Sequence, residues 1–126
     1  MSTDEVLSLF EKHDEQWAIV RSAPKLRWDT FPWPIFKRAR TPEDITTNAV
    51  GAYVLSPLHP RDREKSNKDR IKDHIKRWHP DRFETQLLPK VNEEEQEKVK
   101  EGAGSVARAL SDLLTRQNSS SRDWMD

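Results

Sequence analysis

The chain carries four histidines, His13, His59, His74 and His79, and no cysteine. The lack of thiols excludes disulfides, thiolate catalysis and cysteine-based zinc sites. The imidazoles offer little for a metal: His74 and His79 are five residues apart, whereas side chains sharing one helix face stand three or four apart. Ser56, His59 and Asp62 have the residue types of a hydrolytic triad, but three residues within one short loop do not make that geometry. There is no phosphate-cradling glycine loop, nucleophile elbow or His-Glu-x-x-His pattern. The chain therefore reads as a non-enzyme with no cofactor and no metal. The remaining signal is His79-Pro80-Asp81, directly after the partly basic segment 70–78. Taken locally, the tripeptide is a helix stop, with Pro80 ending the helix and Asp81 favouring a turn.

Helices are the elements available to position these residues. Ser2 and Glu5 make a capping box for a first helix over 3–21, in which Val6, Phe10, Trp17 and Val20 recur at helical spacing. Residues 26–36 hold two prolines and four aromatics and read as an extended, packed connector. Thr41-Pro42-Glu43-Asp44 starts a second helix to residue 55, with Ile45, Ala49, Ala52 and Tyr53 on one face. Ser66 caps a third helix over 67–78, with an apolar stripe of Ile71, Ile75 and Trp78. Phe83, Leu87 and Leu88 supply apolar contacts before Pro89. Asn92 and three glutamates then open a helix over 93–116, striped by Val99, Ala103, Val106, Leu110, Leu113 and Leu114. Gly102 and Gly104 interrupt this helix, either as tolerated weak points or because another element comes close. No strand alternation of useful length appears. The expectation is an all-α domain.

At 126 residues one domain is the prior. Charged residues make up 35%, well above the roughly 25% of ordinary domains. Zero net charge and five tryptophans nevertheless favour a folded, Trp-anchored core. Trp17, Trp28, Trp33, Trp78 and Phe83 are expected inside it. No apolar run reaches the length of a membrane span, and the first residues lack the basic-then-apolar order of a secretory signal. A reducing compartment, cytoplasmic or nuclear, is expected. The neutral total conceals an acidic stretch over 1–20 and basic stretches over 21–40 and 61–82. On the third helix Lys72 and Lys76 form one basic stripe and Arg70 and Arg77 another, with Asp69 and Asp73 between them. Asp73 is spaced to pair with Lys76 and Arg77, and Asp69 with Lys72.

Trp78-His79-Pro80-Asp81-Arg82-Phe83, after a helix bearing Ile71 and Ile75 and before the Val106–Leu114 helix, resembles a J domain (DnaJ-like). With Phe31-Pro32-Trp33-Pro34 and Pro42-Glu43-Asp44-Ile45-Thr46 upstream, the order is similar to a divergent fungal J-like group. It is also similar to the C-terminal part of nuclear factor kappa-B inhibitor-like proteins. The similarity covers 26–116, leaving 1–25 as an N-terminal helix and 117–126 as a polar tail. The resemblance implies an antiparallel helical hairpin bearing a His-Pro-Asp loop. It also implies a co-chaperone that binds a DnaK-type heat-shock chaperone and stimulates its ATP hydrolysis. On this chain His79, Pro80 and Asp81 would form the signature loop. Pro80 would fix its backbone, and His79 and Asp81 would hydrogen-bond the partner. Arg70, Lys72, Lys76, Arg77 and Arg82 would supply the basic docking field.

Three other readings stand beside it. The interrupted basic face suits an interaction module that keeps the hairpin without stimulating a chaperone. Nucleic-acid binding is the weaker rival, because the basic residues are interleaved with aspartates and the pI is about 6.9. Pro32-Trp33-Pro34 resembles a short polyproline ligand, but with so many aromatics beside it a packed corner is the expectation.

Overall fold

The computed structural model describes residues 1–59 and 64–123, with side chains through Asn118. Asp62, and with it the Ser56–His59–Asp62 grouping, lies outside the described residues. Among the described residues the fold is all-α. The four main helices are α1 (Thr3–Ser22), α2 (Thr47–Val54), α3 (Asn67–Trp78) and α5 (Glu93–Asp123). A short helical turn, α4 (Pro80–Arg82), follows α3. No described helix is long and apolar enough to cross a membrane.

Local signals set most of the boundaries. The Ser2 hydroxyl accepts from the Glu5 amide while the Glu5 carboxylate accepts from the Ser2 amide, closing the capping box on α1. These bonds hold the Glu5 carboxyl below the usual glutamate range. Ser66 caps α3 by accepting from the Asp69 amide, as the sequence predicts. The second helix departs from its expected form. Asp44 folds back to accept from the Arg40 and Thr41 amides and from Lys37 Nζ. That closes Pro42–Asp44 as a 3-10 turn and holds the Asp44 carboxyl low. Ile45 then leaves helical geometry at φ −91°, ψ 87°. Thr46 restarts the chain as α2 by accepting from the Ala49 amide. This shift exposes Ala52 and buries Val50 and Val54 with Ile45 and Tyr53.

The long helix also differs at its far end. Residues 117–123 were expected in a polar tail, yet α5 runs through Asp123. Asn118 and the three serines that follow are only moderately poor helix formers. Once a helix is nucleated, each added residue makes a hydrogen bond without a new nucleation cost.

The core has two aromatic parts. In one, Trp33 lies beside Trp28 and stacks on Trp78, with centroids 4.3 and 5.2 Å apart. Trp78 stacks in turn on Phe83 at 5.7 Å and meets Trp17 edge-on at 5.1 Å, and Phe31 closes on Phe83 at 5.3 Å. The indole N–H groups of Trp28 and Trp33 donate to the Ala39 and Trp28 carbonyls, so these rings are buried with their polar atoms satisfied. The connector is therefore a packed corner, with Pro32, Trp33 and Pro34 all buried. The second part gathers Phe10, Phe36, Tyr53, His13, His59 and His74.

The buried stripe of α5, Val99, Ala103, Val106, Leu110 and Leu113, backs onto α2 and α3. Leu26 and Val91 form an isolated parallel bridge that pins the connector to the entry of α5. Lys90 Nζ donates to the Val20 carbonyl near the end of α1.

The two glycines of α5 serve different ends. A Cβ at Gly102 would stand 2.6 Å from Trp28 and 2.9 Å from Trp33, so this residue admits the tryptophan pair to the helix surface. A Cβ at Gly104 would meet only the exposed Arg108 guanidinium, at 3.3 Å. Gly102→Ala is therefore expected to lower stability by about 1–3 kcal/mol through overpacking. Gly104→Ala should raise it by about 0.5–1 kcal/mol through helix propensity. Urea unfolding of the two variants checks the opposite signs.

Candidate functional site

The site begins at the end of α3. Trp78 is 1% exposed and Phe83 is equally buried, while His79, Pro80, Asp81 and Arg82 between them are all exposed. Proline at position 80 explains the break, because its ring disfavours helical geometry in the residue before it. His79 accordingly takes φ −55°, ψ 126°, and the chain re-enters a helix with Pro80 as its first residue. His79 Nδ1 accepts from the Asp81 amide at 3.3 Å, and its carbonyl accepts from the Phe83 amide at 2.9 Å. The Thr85 hydroxyl donates to the Asp81 carbonyl at 2.7 Å. The tripeptide is thus a one-residue break leading into a helical turn that continues through Phe83–Leu87. It is tighter than an open loop.

The turn presents a donor and an acceptor. With Nδ1 accepting a backbone proton, the neutral imidazole carries its proton on Nε2, which is left to donate outward. The Asp81 carboxylate has no hydrogen-bond or ion-pair partner among the described residues. Beneath the turn, the stacked Trp78 and Phe83 rings and the Trp33 ring behind them form a rigid base.

Two cavities flank Pro80. One, of about 300 Å³, lies between Trp78, Phe83 and the Glu97–Arg108 stretch of α5. The other, of about 190 Å³, is bounded by Ile75, His79, Ala107, Leu110 and Leu114. Trp78 and Pro80 line both cavities; the first also carries the charged Glu84, Glu97, Lys100, Glu101 and Arg108, whereas the second is mainly apolar.

The expected basic residues divide. Lys72, Lys76 and Arg82 are exposed and Arg77 is half-buried. Arg70 does not belong to a docking field: it is 5% exposed and its guanidinium donates to the Ser56 carbonyl at 2.7 Å. The helical period explains this, since residue 70 stands one residue before Ile71 and four before His74, on the flank of the buried face. Asp73 differs as well. Its carboxylate is held by Lys65 Nζ at 2.6 Å, from the chain leading into α3, in addition to the expected influence of Lys76 and Arg77. The Lys65 hydrogen bond keeps the Asp73 carboxyl below the usual range. The exposed basic surface of α3 therefore centres on Lys72 and Lys76.

His74 is 4% exposed and faces Tyr53 edge-on. Among the described residues no group of three His, Cys, Asp or Glu side chains is placed to hold a metal ion. Sequence reasoning missed the stack that joins the connector to the turn. The aromatic density of residues 28–36 was the available signal, but not its target. No family model, curated protein or solved structure matches the chain.

Proposed function

We propose that this chain is a J-domain-like docking module that binds a DnaK-type chaperone through His79, Pro80 and Asp81 and stimulates its ATP hydrolysis. One observation carries the proposal: an exposed His-Pro-Asp turn is clamped over buried Trp78 and Phe83, with Lys72 and Lys76 exposed on the preceding helix. In this reading α3 and α5 are the two arms of the J-like antiparallel hairpin, and Ile75, Leu110 and Leu114 line its partner-facing seam. Pro80 holds the turn, His79 Nε2 donates and Asp81 accepts at the partner surface. Lys72 and Lys76, with Arg77 and Arg82 beside them, speed encounter with an acidic face.

Single-turnover ATP hydrolysis by a DnaK-type chaperone tests this. Stimulation that disappears with His79→Gln is expected. The double variant Lys72→Glu/Lys76→Glu should weaken it by about tenfold, mainly through association. Absence of stimulation across several such chaperones, or equal stimulation by His79→Gln, would overturn the proposal.

A second reading has its own support. The burial of Arg70 thins the basic face of α3. This favours an interaction module that uses the same scaffold without driving ATP hydrolysis. Partners captured equally by the native chain and by His79→Gln, but lost on reversal of Lys72 and Lys76, would favour it.

A further inference from the structure

A separate cavity, of about 340 Å³, lies between α1 and the Pro/Trp connector and shares no lining residue with the His79 turn. Its apolar lining comes from Leu9, Phe31, Trp33 and Phe36, and its cationic lining from Lys12, Lys37 and Arg38. Cations thus reach it from two separate elements, against one lining carboxylate, Asp29. Arg38 Nη2 already holds Asp29 Oδ2 at 3.3 Å, in a pair exposed on both sides that a competing carboxylate displaces easily. Lys37 is held by Asp44 at 3.1 Å, whereas Lys12 has no ion-pair partner among the described residues.

His13 adds an independent pointer. Its ring lines the cavity although it is only 9% exposed. Its Nδ1 is engaged by the Tyr53 hydroxyl at 2.7 Å, and its Nε2 has no hydrogen-bond partner among the described residues. The side chain therefore sets a polar imidazole edge among the aromatic and cationic residues of the cavity lining.

We propose that this cavity binds a small aromatic carboxylate. The ring packs against Phe31, Trp33 and Phe36. The carboxylate takes the place of Asp29 on Arg38 and draws in Lys12, with the His13 ring beside it in the lining. A volume near the lower end of known small-molecule sites suits one or two fused rings rather than a larger ligand.

NMR titration of the full chain with 2-naphthoate, 2-naphthamide and inorganic phosphate tests the proposal. Saturable binding of 2-naphthoate is expected, with shifts at the His13 ring, the Trp33 indole and the Arg38 amide. Its affinity should exceed that of the neutral amide by about tenfold, the scale of a charge-assisted contact. Lys12→Gln/Arg38→Gln, both at exposed positions, should weaken it by about fivefold while leaving the fold intact. Equal affinity for acid and amide, equally strong binding of phosphate, unchanged affinity in the double variant, or no saturation would each overturn it.

Discussion

Replacing Trp78 by alanine is expected to cost about 3–5 kcal/mol of folding stability, a large share of the roughly 5–15 kcal/mol available to an ordinary domain. The ring is 1% exposed and touches three other aromatics, stacking on Trp33 and Phe83 and meeting Trp17 edge-on. Truncation removes the ring's own transfer free energy and leaves a cavity. The neighbours close that cavity poorly, because Trp33 is tied to the Trp28 carbonyl through its indole N–H. The same substitution removes the base beneath His79-Pro80-Asp81, so under the proposed docking function chaperone stimulation should fall even where the chain remains folded. Urea unfolding with the midpoint and slope both fitted measures the loss. A cost below about 1 kcal/mol would place the ring outside the core and remove the support assigned to the turn.

Acidification is expected to destabilise the fold through His13. Burial, aided by Lys12 and opposed by Asp14, lowers its pKa from 6.5 to about 4. Because the folded-state value lies below the unfolded one, the unfolded chain binds more protons between pH 4 and 6.5, and stability rises with pH across that window. The contribution is fully present above pH 6.5. It is lost as pH falls, amounting to about 2 kcal/mol by pH 5 and about 3 kcal/mol by pH 4. Urea unfolding at pH 7, 6 and 5 measures the slope. The portion removed by His13→Gln, which keeps a hydrogen-bonding group for Tyr53, belongs to His13. Identical slopes in the two proteins would mean that His13 is protonated as readily in the folded state as in the unfolded one.

Much of the fold was legible because its signals are local. Ser2 with Glu5 and Ser66 with the Asp69 amide act within one helical turn, so residue type and spacing place the starts of α1 and α3. The stripes Val6–Val20 and Val99–Leu113 identify buried faces for the same reason. Local rules failed where two of them competed. Pro42 after Thr41 reads as a helix start, but Asp44 closed the turn on Arg40 and Thr41, and Thr46 took over as the cap. At the candidate site, sequence picked out the tripeptide and its lysines. It could not separate Arg70 from them, because an arginine on the flank of an apolar stripe is buried only if a carbonyl such as that of Ser56 lies within reach.

The sequence by itself determined that this chain is helical, where most of its helices begin, and that a proline-fixed His79-Pro80-Asp81 follows a partly basic amphipathic helix. These depend on backbone hydrogen bonds and side-chain periods spanning a few residues. Only the tertiary structure decided that the Pro/Trp connector supports that turn, that Gly102 makes room for Trp28 and Trp33, and that Lys72 and Lys76 remain exposed while Arg70 is buried. Each of those outcomes depends on which surface arrives opposite a given side chain. The partner surfaces come from segments tens of residues apart, whose meeting no local spacing encodes.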